Sequence, residues 1–346
     1  MNSEVLREKD RNVLYLLVEG YLKVGRPVSS QFIAEKSSLS ISSATARNIM
    51  AKLEKLGYLS QPHTSAGRVP TDKGLRFYVN CLFEEALITQ GQFGFPSHEI
   101  QIEKGDFDEI LMRASQILSD YSDNLGFVIS PRISRLNFKH MRLIKISEEK
   151  VMIILVTTSN IVLSEVVNTK HYFTQVELDR SSHYINENFR GKNLLFIRDY
   201  LAKEIPEYRI RVENTMQKLT ELLKTYFSQE EEENQIFLKG TSKLLEKPEL
   251  FDMKHLNSLF KSFEEKAKLA KLLSDFISLD RVKVLIGEEM DFPDISECSL
   301  ILSHYGYDQQ VLGSLGIIGP KRIPYKKIIP LVECVAKQLS HTISYK

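Results

Sequence analysis

The chain is poor in the residues and strings that most enzyme and metal-site readings need. It has three cysteines, Cys81, Cys298 and Cys334. They are far apart, odd in number and form no C-x-x-C pair, which speaks against a disulfide framework or a zinc ribbon and for reduced, buried thiols. None of the eight histidines is followed by another four residues on, and no H-E-x-x-H is present, so metal chemistry has no foothold. There is no P-loop and no G-x-S-x-G elbow. Gly313, Gly316 and Gly319 are spaced G-x-x-G-x-x-G, and Pro320 follows where a phosphate-binding helix would begin, so strand and turn packing explains them better. The acidic groups Asp106, Asp108, Glu109 and Glu288, Glu289, Asp291 sit in polar stretches and read as solvated turns. No catalytic constellation and no cofactor site emerges. Long apolar runs are also missing: Val151–Val156 is far short of the ~20 residues that span a bilayer. The first residues carry Glu4, Arg7, Glu8, Lys9 and Asp10, so no signal peptide is expected and a cytoplasmic protein is.

What is present is 42% hydrophobic residues over 346 positions, enough for two or three packed domains. The net charge of +1 hides an asymmetry. Residues 1–80 carry 12 Lys+Arg against 7 Asp+Glu, a balance of +5, and the remainder carries 34 against 38, or −4. A basic head on a slightly acidic body suits a polyanion at one end.

The chain is organised around Ser42–Leu56 and the segment after it. Ala46, Ile49, Met50, Leu53 and Leu56 make one apolar stripe at the helical period. Ser42 or Ser43 can cap the start and Gly57 fits the left-handed position at the end. The opposite side carries Ala44, Asn48, Ala51 and Lys55, flanked by Arg47 and Lys52. Such a face suits a major groove, with Asn48 able to pair with adenine, Arg47 with guanine, and the alanines able to meet a thymine methyl. Ser43 and Thr45 lie in the first turn, where hydroxyls and helix N–H groups meet phosphate. Tyr58–Gln61 and Arg68–Pro70 read as short strands around a turn rich in Pro62, Ser65 and Gly67. Its tip, with His63, Thr64, Ser65 and Arg68, has no large apolar residue to bury and can reach a sugar-phosphate backbone. Upstream, residues 3–24 read as a helix with Leu6, Val13, Leu14, Leu17, Tyr21 and Val24 on one side, and a second short helix starts at Ser29 or Ser30. Three helices followed by a two-stranded wing is the winged helix-turn-helix arrangement.

The string SSATARNIMAKLEKLGYLSQPHTSAGRVPTDKGLRFYVN closely resembles the signature region of the HrcA family of bacterial heat-inducible transcription repressors. Downstream, LIGEE (285–289) and GSLGIIGPKRIPY (313–325) resemble that family's GAF-like domain, with Lys321, Ile323 and Pro324 where the family pattern has threonine, methionine and an acid. The resemblance implies an α+β protein with a winged helix-turn-helix at 1–88 and a linker at 89–105. It further implies a GAF-like domain split between 106–173 and 279–346, and a mostly helical dimerising insertion at 174–278. Strands are expected at Gly126–Ser130, Met141–Ile146, Val151–Thr157, Ile161–Val167, Val282–Ile286, Ser299–His304 and Val311–Ile318. Helical stripes run through Leu219, Leu222, Leu223 and Tyr226 and again from Leu256 to Ile277, and a helix at Tyr325–Leu339 closes the chain. The resemblance also implies a homodimer on an inverted-repeat CIRCE operator, repression lost on heat shock, and the GroE chaperonin as partner. Two rivals stay open: a winged-helix regulator whose GAF-like domain senses a small molecule, and an enzyme with a nucleic-acid-binding head.

Overall fold

The computed structural model describes residues 6–37, 40–63, 66–88, 102, 106–131, 136–159, 161–203, 218–219, 221–223, 225–226, 236–246, 282–290, 295–307 and 310–344. The linker apart from Ile102 and the stripe from 256 to 277 lie outside them.

In the N-terminal head, α1 (Glu8–Val24) ends at Gly25, whose φ of 73° lets its N–H turn back onto the Tyr21 carbonyl at 2.7 Å. Helix α2 (Ser30–Lys36) is capped by Ser29, whose hydroxyl accepts from the Phe32 N–H at 3.2 Å. Helix α3 (Ser43–Lys55) is capped by Ser42 through the Thr45 N–H at 3.1 Å. Strands β1 (Leu59–Ser60) and β2 (Val69–Pro70) pair antiparallel, Leu59 opposite Pro70. Helix α4 (Asp72–Ile88) follows. The helices hold together because each contributes a stripe to one core: Val13, Leu14, Leu17 and Val18, then Ile33, then Ala46, Met50 and Leu53, then Leu75, Tyr78, Val79 and Leu82. Leu6 is buried beside them, but Val24, expected on the inner side of α1, is 55% exposed. The Gly25 turn carries the last residue of the helix past the edge of the core.

The body is mixed α+β with antiparallel sheets. Helix α5 (Phe107–Ser122) precedes β3 (Leu125–Ile129). Strands β4 (Phe138–Lys145), β5 (Lys150–Thr157) and β6 (Val162–Asn168) follow, then α6 (Gln175–Phe189) and α7 (Leu194–Lys203). After these come β7 (Ile236–Lys239) and the short α8 (Thr241–Leu245). The C-terminal part holds β8 (Lys283–Ile286), a 3-10 turn at Gly287–Met290, β9 (Cys298–Tyr307), β10 (Gln310–Pro320) and α9 (Tyr325–Ser344).

These strands form two sheets. One has the order β7-β3-β10-β9-β8 and the other β4-β5-β6. In the first, β3 is buried on both faces. Val128, Leu315, Ile317 and Ile301 belong to the core shared with α5 and α9, and Leu125, Phe127, Leu300 and Ile318 to a second core closed by Leu244, Met290 and Ile295. The three glycines at 313, 316 and 319 lie within β10, where a Cβ at Gly316 would collide with the Ile301 carbonyl of β9. In the second sheet, alternation is plain: Val151, Ile153 and Leu155 are buried while Met152, Ile154 and Val156 are not. Side chains of α6 seal the outer edge of β4. Asn186 accepts from the Met141 N–H at 2.7 Å, Ser182 from Leu143 at 3.0 Å and Gln175 from Lys145 at 2.8 Å.

Two features differ from the sequence reading. Strands β4–β6 were grouped with β3, yet β3 pairs with β10 and β7 instead. The strand β7 falls in a stretch read as helical. It is four residues long and ends at Gly240, with φ of 84°, too short for periodicity to reveal.

Candidate nucleic-acid interface

The stripe of α3 points into the head, so its other side is presented outward. Ala44, Thr45, Arg47, Asn48 and Lys55 are exposed and Ala51 is half-buried. Among the described residues, Arg47, Asn48 and Lys55 have no hydrogen-bond or ion-pair partner. A guanidinium, a carboxamide and two alanines on one helical face offer donors, an acceptor and room for close approach, which are the elements of base-edge readout.

The other candidate residues are committed to contacts within the head to different degrees. The Ser43 hydroxyl lies 3.0 Å from that of Ser30, joining α3 to α2. The Thr45 hydroxyl lies 2.9 Å from that of Ser42 at the cap. Lys52 reaches back to α1, its Nζ 2.7 Å from Asp10 Oδ2, and that carboxylate side chain is only 7% exposed. Arg68 donates from Nε to Glu54 of α3 at 2.9 Å. Arg68 also exchanges backbone hydrogen bonds of 2.9 Å with Val28, which fastens the strand pair to the turn before α2. A Cβ at Gly67 would collide with the Val28 carbonyl, so glycine permits this close approach. His63 is exposed at the tip between the strands, and Thr64 and Ser65 lie outside the described residues.

The structure therefore brings Ala44, Thr45, Arg47, Asn48 and Lys55 together on one open face. It turns Lys52 and Arg68 toward carboxylates of the head, though neither is fully covered. Sequence spacing cannot show those two ion pairs, because each joins elements whose packing angle is set by the core. Within the head, the rings of Tyr15 of α1 and Tyr78 of α4 pack tilted at 43° with centroids 4.9 Å apart. Burial, helped by Glu85 and Glu19, pushes the Tyr15 hydroxyl up to about 12 and burial moves Tyr78 higher still, so both stay protonated as hydrogen-bonding groups.

In the body, a cavity of about 240 Å³ lies between the end of α5 and the start of α9, lined by Tyr121, Asn124, Arg322, Ile323 and Lys327 among others. Among the described residues, no group of three or more His, Cys, Asp or Glu side chains can hold a metal ion. No helix there is long and apolar enough to cross a membrane. Burial pushes the Cys298 thiol up to about 12, so it behaves as a small apolar core group.

Comparison with known proteins agrees along the chain. Residues 108–329 match the model of the HrcA protein C-terminal domain. The heat-inducible transcription repressor HrcA of Syntrophobacter fumaroxidans is 31% identical over 339 residues, covering 98% of this chain and 97% of that one. Its namesake from Geobacter sulfurreducens is 32% identical over 338 residues, covering 98% of each. A crystal structure described only as that of a hypothetical protein superposes with a TM-score of 0.67 at 24% identity, covering 99% of both chains, and supports the fold. The family is one of transcription repressors rather than enzymes. With the family's C-terminal domain at 108–329 and relatives aligned from end to end, the chain belongs to the HrcA family of heat-inducible transcription repressors.

Proposed function

We propose that this heat-shock repressor acts by inserting α3 into the major groove of an inverted-repeat operator of the CIRCE type. Residues 1–88 form a winged helix-turn-helix in which β1 and β2 are the wing. Arg47 and Asn48 read base edges, Ala44 packs against them, and Ser43, Thr45, His63, Thr64 and Ser65 are assigned to the sugar-phosphate backbone. Lys52 and Arg68 orient the helix and wing, and their remaining exposure faces phosphate. The observation that carries this reading is the open face of α3, where Arg47 and Asn48 are exposed with no intramolecular partner among the described residues.

A dimer presents two such helices about a two-fold axis, so half-site centres fall roughly a multiple of 10 bp apart. The dimerising unit is an insertion in a GAF-like domain that lies on either side of it, joined to the head by the linker 89–105. The sheet pairing supports starting the insertion near Leu136 rather than at 174, since β4–β6 form a sheet apart, and ending it before β7, which joins β3. The other face of that sheet carries Ile144, Met152, Ile154, Val156, Val162 and Val166, interspersed with His140, Arg142 and Ser164, and among the described residues Val162 is 54% and Val166 43% exposed. An apolar sheet face of this kind suits a second copy. The GroE chaperonin restores the fold that heat removes, returning the repressor to its operator.

The rival in which the GAF-like domain senses a small molecule is less favoured. Among the described residues, the cavity between α5 and α9, of about 240 Å³, falls below the ~300–1,000 Å³ of ordinary ligand sites. The test is fluorescence anisotropy of the full chain on an inverted-repeat duplex and a scrambled one, at fixed salt, before and after a heat step, with and without chaperonin. Preference for the repeat that is lost on heating and restored by chaperonin is expected. Equal binding to both duplexes would overturn the repressor mechanism.

A further inference from the structure

Beside the apolar core that runs on from the head into the body, the two meet through a cluster of charges. At the start of α4, Asp72 Oδ1 lies 2.9 Å from Lys321 Nζ, in the loop between β10 and α9. Lys321 is shared with Glu297 at 3.5 Å. The other carboxylate oxygen of Asp72 accepts the Glu288 N–H at 3.4 Å. One turn along α4, Arg76 donates from Nε to Glu289 Oε1 at 2.7 Å and from its terminal nitrogen to the Val284 carbonyl at 2.6 Å. That terminal nitrogen also pairs with Glu289 Oε2, which in turn accepts the Ile286 N–H at 2.9 Å. Four of the five charged side chains are one-third exposed or less, 26% for Arg76, 33% for Glu289, 22% for Lys321 and 31% for Asp72, and Glu297 is 51% exposed.

The backbone is shaped for this contact at two glycines. Gly287 has φ of 57°, and a Cβ there would collide with the Asp72 carboxylate. Gly25, at the end of α1, lies against the Arg322 guanidinium, which a Cβ would displace. Two residues from one face of α4 thus grip β8, the 3-10 turn and the β10–α9 loop, more than 200 positions away in sequence.

The geometry points to a polar clamp, built from Asp72 and Arg76 on the head and Lys321, Glu289 and Glu297 on the body, that fixes the orientation of the recognition helix relative to the dimer. The inference rests on the repressor reading above, because orientation matters only if two heads must meet two half-sites at a set distance. Without the clamp each head would be held less rigidly, by the apolar contact and the chain after α4, and could follow half-sites at several spacings. A charge-rich junction of this size also breaks and reforms more readily than a domain core, so it is the place where salt acts on spacing discrimination without unfolding either domain.

The test compares the full chain with its Arg76→Ala and Lys321→Ala variants on an inverted repeat, on the same half-sites moved apart by about 5 bp, or half a helical turn, and on a scrambled duplex. The wild type should discriminate at least tenfold between the two spacings, and each variant should lose most of that ratio while keeping its preference over the scrambled duplex. Variants that keep the wild-type ratio, or that bind the repeat tighter than wild type, overturn the clamp. If the wild type itself ignores the repeat, the repressor reading fails, and the clamp is judged by hydrogen exchange at Ile286 and Glu288. Those two amides should exchange at least tenfold faster in both variants, and unchanged protection overturns it. Should an alanine variant lose its near-UV signal, Glu289→Gln removes the charge at similar volume and takes its place.

Discussion

Replacing Lys52 by alanine separates two roles that a lysine on the flank of a recognition helix can have. If Lys52 only meets phosphate, its loss weakens binding to every duplex and flattens the salt dependence by about one counterion, with the fold untouched. The contact with Asp10 argues for a different outcome. Asp10 is buried at the start of α1, and the Lys52 ammonium 2.7 Å away faces it from α3. Removing one partner of a fully buried pair costs about 3–5 kcal/mol, and exposed pairs are worth about 0.2–1 kcal/mol. With the lysine side chain 45% exposed and the carboxylate 7% exposed, the cost falls between, at about 1.5–3 kcal/mol by the same principles.

That loss should be confined to the head. Hydrogen exchange read on α1 and α3 isolates it within a multidomain chain, and protection there should fall about 10–100-fold, the equivalent of that free energy. Asp10→Asn removes the stranded charge at nearly constant shape. Combined with Lys52→Ala it should recover about 1–2 kcal/mol of coupling in a double-mutant cycle. A Lys52→Ala protein with unaltered protection in α1 and α3 but a salt slope lowered by about one would refute this reasoning and return Lys52 to the phosphate backbone.

Asn48→Ala, on the open face, should relax base preference at one position in each half-site by about 1–3 kcal/mol while leaving stability unchanged, as read by anisotropy on singly substituted duplexes. Gly67→Ala should force the strand pair off Val28, and loss of protection at the Val28 and Arg68 amides would report it. In the body, hydrogen bonds from Lys243, then from Gln116, hold the Asp120 carboxyl below the usual carboxylate range. A depressed folded value means stability that is present above the unfolded pKa of about 3.9 and lost as pH falls through the folded one. Lys243→Met should therefore flatten the acid limb of a pH-dependent urea melt below about pH 5, and an unaltered limb would show the pair to be inert.

The head was legible because its signals are local. The stripe Ala46, Met50, Leu53 and the Ser42 cap fix both the extent and the facing of α3, and the structure needs only residues within one helix to satisfy them. Pro62 and Gly67 mark the turn between β1 and β2 in the same way. The body was legible as elements but not as sheets. A run such as Phe127, Val128, Ile129 states that a strand is buried, yet its partners are β10, 185 residues on, and β7, which is only four residues long. Strands β4 to β6 have similar composition, and what sets them apart is the row Asn186, Ser182 and Gln175 on α6 closing the edge of β4. Those three read as ordinary polar helix positions until the β4 N–H groups that donate to them are known. Lys52 and Arg68 were ambiguous for the same reason: a long cationic side chain can serve an outside phosphate or an inside carboxylate, and the choice depends on where another element packs.

Lys321 depends in the same way on where another element packs. By sequence it is a departure from the family pattern in a loop of the GAF-like stretch, with no local reason for a cation. In the structure it bridges Asp72 of the head and Glu297 of the body at 2.9 and 3.5 Å, so its shorter ion pair forms only when the head is seated. A cation with acidic partners on both sides of a junction favours the closed arrangement when the chain carries both. On the clamp proposal, the orientation of α3 depends on residues of the body far from it in sequence. That dependence explains why a reading confined to the recognition segment finds what can contact DNA but not what aims it.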